Sequence, residues 1–239
     1  MGYATWLPDV LRAHGLTVHE VNGWQTRGSS SFAPRGVVCH HTASHAGANA
    51  PALGICTNGR PDLAGPLCNV LLARNGDCYV VAAGRANHAG TGGWRGLTGN
   101  SSVLGIEAEN NGIGEPWPAH QITAYIRLCA AMCEGGGFDA STVCYHREWA
   151  PGRKIDPAGP GFPQDGNSWR QRVQAALDNE GDTVTPEQMA QLGEWMQEQR
   201  ALTVQEVTEA VLGTKTKPGR IIRKLNRLLV AAGEKVEAD

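Results

Sequence analysis

Asn69-Val-Leu-Leu-Ala-Arg-Asn75-Gly76-Asp-Cys-Tyr-Val-Val81 is two β-rich runs folded about an Asn-Gly pair. Asn-Gly accepts the positive φ angles of a tight hairpin turn, so the stretch predicts two adjacent antiparallel strands. Working outward, Gly36-Val-Val-Cys39 reads as a buried strand that ends at His40-His41. Residues 17–21, 102–108 and 143–145 read as further strands. Between and around them lie helical patterns at residues 7–13, 120–133 and 169–177. The middle one carries Ile122, Ile126, Cys129 and Cys133 at helical spacing and meets Gly135-Gly-Gly. Strands interleaved with helices predict an α/β fold with a central mixed β-sheet flanked by helices.

The chain has 239 residues, is 41% hydrophobic and carries a formal net charge of -2. That supports one well-buried domain with an appendage, and the lack of a basic excess excludes nucleic acid as the main partner. No apolar run approaches the roughly 20 residues of a membrane helix, so no membrane insertion is expected. Met1-Gly-Tyr-Ala-Thr-Trp lacks a basic start followed by an apolar core. Synthesis in a cytoplasm follows, with any outside action reached by another export route. The seven cysteines show no C-x-x-C spacing and mostly lie in apolar runs, which predicts buried free thiols.

The chemistry is concentrated in His146-Arg-Glu-Trp-Ala-Pro-Gly-Arg-Lys154-Ile-Asp156. Its Pro and Gly predict a bent loop rather than a helix, carrying an imidazole, an ammonium and a carboxylate. With the His40-His41 pair, the chain can supply two imidazoles and a carboxylate to one ion. Three protein ligands with a fourth position for water is the arrangement of a hydrolytic zinc site. His40 and His41 face opposite ways on a strand, so one is the ligand while the other packs or orients a neighbour.

The frame H-x-x-x-A-P-G-R-K-x-D-P from His146 resembles the zinc-dependent N-acetylmuramoyl-L-alanine amidases, whose fold is shared with peptidoglycan recognition proteins. Three other stretches agree in order: Val37-Val-Cys-His40-His-Thr-Ala, Arg85-Ala-Asn-His88-Ala-Gly and Ser102-Val-Leu-Gly-Ile-Glu107-Ala-Glu109. The likeness covers roughly residues 36–160 and is strongest to the branch with Asp as third ligand, typified by anhydromuropeptide amidases. It implies Zn2+ held by His40, His146 and Asp156, Glu107 as acid/base carboxylate and Lys154 beside the developing oxyanion. Glu109 is the lower-ranked alternative carboxylate. His88 resembles the family's substrate-side loop, and Trp94 and Arg95 are candidates to stack on sugar and pair with a peptide carboxylate. Recognition-protein-like amidases often carry a tyrosine near the position of Cys68; the Asp-ligand branch lacks it too.

The implied substrate and partner is bacterial peptidoglycan, cut between N-acetylmuramic acid and L-alanine. An amidase domain over residues 1–180 is expected to precede a helical region over 181–239. In that region Thr185-Pro-Glu-Gln188 is a helix start. Met189, Leu192, Met196, Val204, Val207 and Val211 continue at helical spacing on an acidic stretch. A basic stretch over 220–232 then groups Ile222, Leu225 and Leu229 on one side. These helices serve wall anchoring or homo-oligomerisation. An added tail and the absent leader favour a phage endolysin, most like those of actinobacteriophages, released through a partner pore. The alternatives are a cytoplasmic muropeptide-recycling amidase and a non-catalytic peptidoglycan-binding module.

Overall fold

The computed structural model describes residues 2–180. The region over 181–239, with the two helices expected in it, lies outside the described residues. The chain opens with helix α1 (Leu7–Ala13), whose Leu7 and Leu11 are buried, and strand β1 (Val18–Glu20). Strand β2 (Val37–His41) extends through both histidines. A short helix α2 (Leu53–Asn58) and a two-residue pair, β3 (Gly59–Arg60) and β4 (Leu63–Ala64), form an excursion above the sheet's cleft side. The hairpin follows as β5 (Val70–Leu72) and β6 (Cys78–Val80). After a second small pair, β7 (Gly93–Trp94) and β8 (Leu97–Thr98), comes β9 (Leu104–Ala108). Helix α3 (Ala119–Gly136), strand β10 (Val143–Tyr145), a helical turn α4 (His146–Trp149) and helix α5 (Gly166–Glu180) complete the described chain.

Six strands form one sheet in the order β1-β6-β5-β9-β2-β10. Only the β5–β6 hairpin is antiparallel; every other neighbouring pair runs parallel. The sheet is therefore mixed, and the Asn75-Gly76 turn is the reason. Strand alternation divides its two faces. Val37, Cys39, Leu104, Ile106, Val143 and Tyr145 pack on the face covered by α1, α3 and α5. Val38 and Cys144 point to the other face, where Trp149, Ala89 and Val103 cover them. His40, two residues beyond Val38, and Glu107, across the ladder from it, share that second face.

Helix α3 runs through Gly135 and Gly136 and stops at Gly137, which takes a left-handed φ of 68°. The triplet is thus only partly a stop signal. A Cβ on Gly135 would lie 2.3 Å from the Trp6 ring, so this glycine lets the segment entering α1 pack against α3. On the same face, Phe162 is surrounded by Trp117, Tyr145 and Trp169 at ring separations of 4.9, 5.4 and 5.4 Å. That aromatic cluster anchors the chain just beyond Asp156.

One expectation is corrected. The segment from His146 is not loop throughout, because His146–Trp149 forms a turn of α-helix. Glu148 makes this possible: its carboxylate accepts the Tyr145 N–H at 2.9 Å and is held by both Nη atoms of Arg170 at 3.0 Å. The turn ends before Pro151, as a proline further along requires. All seven cysteines are buried and free. Among the described residues, no helix is long and apolar enough to cross a membrane.

Candidate metal centre and catalytic cleft

Parallel registry brings the candidates together. His40 on β2 sits opposite Glu107 on β9, while Cys39 pairs with Tyr145, so the next residue, His146, leaves β10 beside His40. The α4 turn doubles back, and the Arg147 N–H donates to the Asp156 carbonyl at 2.9 Å. One Asp156 oxygen, Oδ2, lies 3.1 Å from His40 Nδ1 and 3.0 Å from His146 Nδ1. The two imidazole rings are edge to face, 4.2 Å between centroids. One donor atom from each of the three residues lies within 4.8 Å of the others, a cluster able to hold a metal ion.

The far nitrogens test that reading. His146 Nε2 is 3.0 Å from the Ala89 carbonyl, and a carbonyl only accepts, so Nε2 carries a hydrogen and, in the neutral ring that a metal requires, Nδ1 has the lone pair. His40 Nε2 is 3.0 Å from His88 Nδ1, and His88 Nε2 is 3.3 Å from the Val103 carbonyl. Followed from Val103, the same rule makes His40 Nε2 a donor and Nδ1 a lone pair. Burial pushes His40 down to about 4, against the neighbouring Asp156 carboxylate, which raises it, so the ring is neutral at neutral pH. Lone pairs aimed at a carboxylate repel unless a cation lies between them. The donor set therefore fits a divalent metal of the kind that takes nitrogen and oxygen ligands. Burial alone would raise Asp156; the two imidazoles beside it, His146 and His40, outweigh that and hold the carboxyl far below its usual range.

His41 also lines the cleft but is not part of the three-residue cluster. Its Nδ1 accepts the Ala158 N–H at 3.0 Å and so clamps the loop carrying Asp156. His40 and His41 thus divide the work as the strand pleat demands.

The cleft beside the cluster has a volume of about 260 Å³ and is lined by His88, Glu107 and Lys154 as well as the three candidates. Glu107 Oε2 is buried with no hydrogen-bond partner. Burial, then the neighbouring Cys56 and Asp156, push its carboxyl well above the ordinary range, against a lowering by Lys154. Lys154 is exposed at the rim. Glu109 is differently placed: fully buried, it accepts from the Ala52 N–H at 2.7 Å and the Thr42 hydroxyl at 2.9 Å, and faces Arg74 at 3.5 Å. It ties the loop after β2 to the sheet and has no vacant acceptor in the cleft. Glu109→Ala is expected to lower unfolding free energy by on the order of 3 kcal/mol, because it strands a buried network. Urea denaturation of the variant measures this, and an unchanged midpoint would refute the anchoring role.

The other residues expected at the site divide. His88 lies in the cleft wall with both ring nitrogens engaged by protein atoms. Trp94 and Arg95 do not line the cleft: the Trp94 indole donates to the Ser141 carbonyl at 2.9 Å and its ring lies under Arg170 at 4.7 Å. Arg95 is exposed beside it. Conversely, Thr42, Arg60 and Leu67 line the cleft without being anticipated. A second hollow of about 360 Å³ adjoins it under α2, sharing Arg60, Leu67 and Glu107. Cys68 is buried next to Cys56, its thiol raised well above the usual range by burial and by hydrogen bonding to Cys56.

A sequence profile of N-acetylmuramoyl-L-alanine amidases matches residues 30–159, over half of the chain and all of this site. The chain belongs to that family. Solved structures with a similar backbone include Staphylococcus aureus hydrolase AmiA in complex with its ligand, 13% identical with a TM-score of 0.50, covering 72% of this chain and 87% of that one. Others are the endolysin amidase LysCS from Clostridium intestinale (22% identity, TM-score 0.47, 68% and 95% covered) and E. coli AmiD with an anhydro-muropeptide substrate (27%, 0.47, 62% and 61%). No curated protein matches the sequence.

Proposed function

We propose that this family member is a zinc-dependent N-acetylmuramoyl-L-alanine amidase that cuts bacterial peptidoglycan during phage-induced lysis of a host cell. The observation that carries the reading is the convergence of His40 Nδ1, His146 Nδ1 and Asp156 Oδ2 with both far imidazole nitrogens already engaged. These three residues would hold Zn2+, which when bound lowers the pKa of water toward about 7 and polarises a carbonyl.

The chain's own residues supply the rest. Glu107, buried and with a vacant oxygen, takes a proton from the attacking water and holds it at Oε2. The carbonyl carbon gains the water oxygen, the carbon–nitrogen bond breaks, and Glu107 returns that proton to the leaving nitrogen of L-alanine. Lys154, positive and at the rim, opposes the charge growing on the carbonyl oxygen. The adjoining hollow under α2 gives room for the peptide stem on the amine side. The lysis setting is supported by sequence: residues 181–239 append an acidic and then a basic amphipathic stretch to the catalytic segment.

Digestion of purified peptidoglycan by the full-length chain, followed by mass spectrometry, tests the bond. Free stem peptides with an L-alanine amino terminus and intact glycan strands are the expected products; shortened glycan or cleaved stems would overturn the reading. Faster release from soluble anhydromuropeptide than from intact walls would transfer the role to muropeptide recycling.

A further inference from the structure

We propose that His88 is a positioning residue that selects the tautomer of His40, and that it does not bind glycan or peptide. The inference rests on His40 being a metal ligand and goes one residue further out.

The wall around His88 is built for this ring. Gly105 on β9 has no side chain where the imidazole lies; a Cβ there would sit 2.5 Å from its Cγ and 2.6 Å from its Nδ1. The backbone N–H groups of His88 and Ala89 both donate to Asn100 Oδ1, at 3.2 and 2.8 Å, which fixes the loop. The ring then meets His40 edge-on, with an interplanar angle of 90°. The Val103 carbonyl can only accept, so it takes the His88 Nε2 hydrogen and leaves Nδ1 as acceptor. His88 Nδ1 in turn takes the His40 Nε2 hydrogen. The one nitrogen of His40 left with a lone pair is Nδ1, the atom facing Asp156 and His146.

The next residue serves the other imidazole. Ala89 offers its carbonyl to His146 Nε2, and Arg153 also donates to that oxygen at 3.1 Å. Adjacent positions on one loop therefore hold both histidines with Nδ1 toward the metal position. With both ring nitrogens of His88 committed to protein, a contact to substrate would have to break one of these bonds. Groups placed like this hold a ligand's ring and raise its basicity, and their loss weakens metal affinity about 10–100-fold.

Two variants of the full-length chain test the proposal. His88→Phe fills the space but accepts no hydrogen bond. His88→Gln offers an amide oxygen to His40 and an amide N–H to Val103. Zinc affinity measured by chelator competition should fall 10–100-fold in His88→Phe and return to within about threefold of the parent in His88→Gln. The visible spectrum of the cobalt-substituted protein should change in the first and be restored in the second. KM at saturating zinc should stay unchanged in both.

A raised KM with unchanged zinc affinity would make His88 a substrate contact and overturn the proposal, as would equal zinc loss in both variants. Should His88→Phe fail to fold, Gly105→Ala replaces it, displacing the ring without removing it, and normal zinc affinity there would likewise overturn the idea. His40→Ala is the control for the underlying reading: undiminished zinc binding in that variant indicts the ligand assignment itself, not the role of His88.

Discussion

Asp156→Ala in the full-length chain is expected to leave purified protein without stoichiometric zinc and to lower kcat/KM by at least about 10³-fold. The carboxylate is the one anion in the cluster, and both imidazoles are directed at its Oδ2, at 3.1 and 3.0 Å. Without it, a divalent cation would face two neutral nitrogens and a buried wall. Asp156→Asn separates charge from shape, since its amide oxygen keeps the ligand position while losing the negative charge, and should retain metal more weakly than the parent. Elemental analysis beside an assay of stem-peptide release checks both. Full zinc content in Asp156→Ala would remove the residue from the metal shell and with it the hydrolytic reading. The loss should not come from unfolding. The Asp156 loop is also held by the Arg147 N–H, by His41 at the Ala158 N–H, and by the aromatic cluster around Phe162. Melting of metal-free parent and variant should therefore be similar.

Much of this geometry is legible because it follows from local rules. The Asn75-Gly76 pair demands a tight turn, so β5 and β6 are antiparallel and the sheet is mixed. Alternation on β2 says that one of His40 and His41 joins the cluster, but not which; parallel registry against Glu107 and Tyr145, a nonlocal fact, decides it. The turn of helix at His146 is hidden by the prolines and glycines behind it, and its cause is Arg170, 22 residues away, gripping Glu148. Helix α2 and its β3–β4 pair are too short for a hydrophobic period to show, so the local pattern does not announce Arg60 at the cleft, nor Leu67 in the loop after β4. Trp94 is set outside the cleft for the opposite reason. A tryptophan in a Gly-rich loop resembles an exposed ring, yet Ser141 and Arg170 are brought under it by packing that no local pattern announces.

Glu107→Gln separates metal binding from proton transfer. The substitution keeps the side chain's size and one oxygen acceptor, and leaves His40, His146 and Asp156 in place. Zinc stoichiometry should match the parent while kcat falls by about 10²–10⁴-fold, the usual worth of a positioned acid/base group. Stability supplies an independent sign. Because burial raises the folded-state pKa of Glu107, folding is favoured when the carboxyl is protonated; that advantage declines as pH rises from its unfolded value through its folded value. At pH 8 the parent bears the cost of a desolvated carboxylate, or of holding its proton against the solvent, and glutamine bears neither. The melting temperature of Glu107→Gln at pH 8 should therefore equal or exceed that of the parent, and the difference should shrink below pH 4. Lost activity with retained zinc and undiminished stability is what a catalytic carboxyl predicts. Near-parental turnover in the zinc-loaded variant would refute that role, and Glu109, just beyond the same strand with its oxygens tied to Ala52, Thr42 and Arg74, offers no substitute.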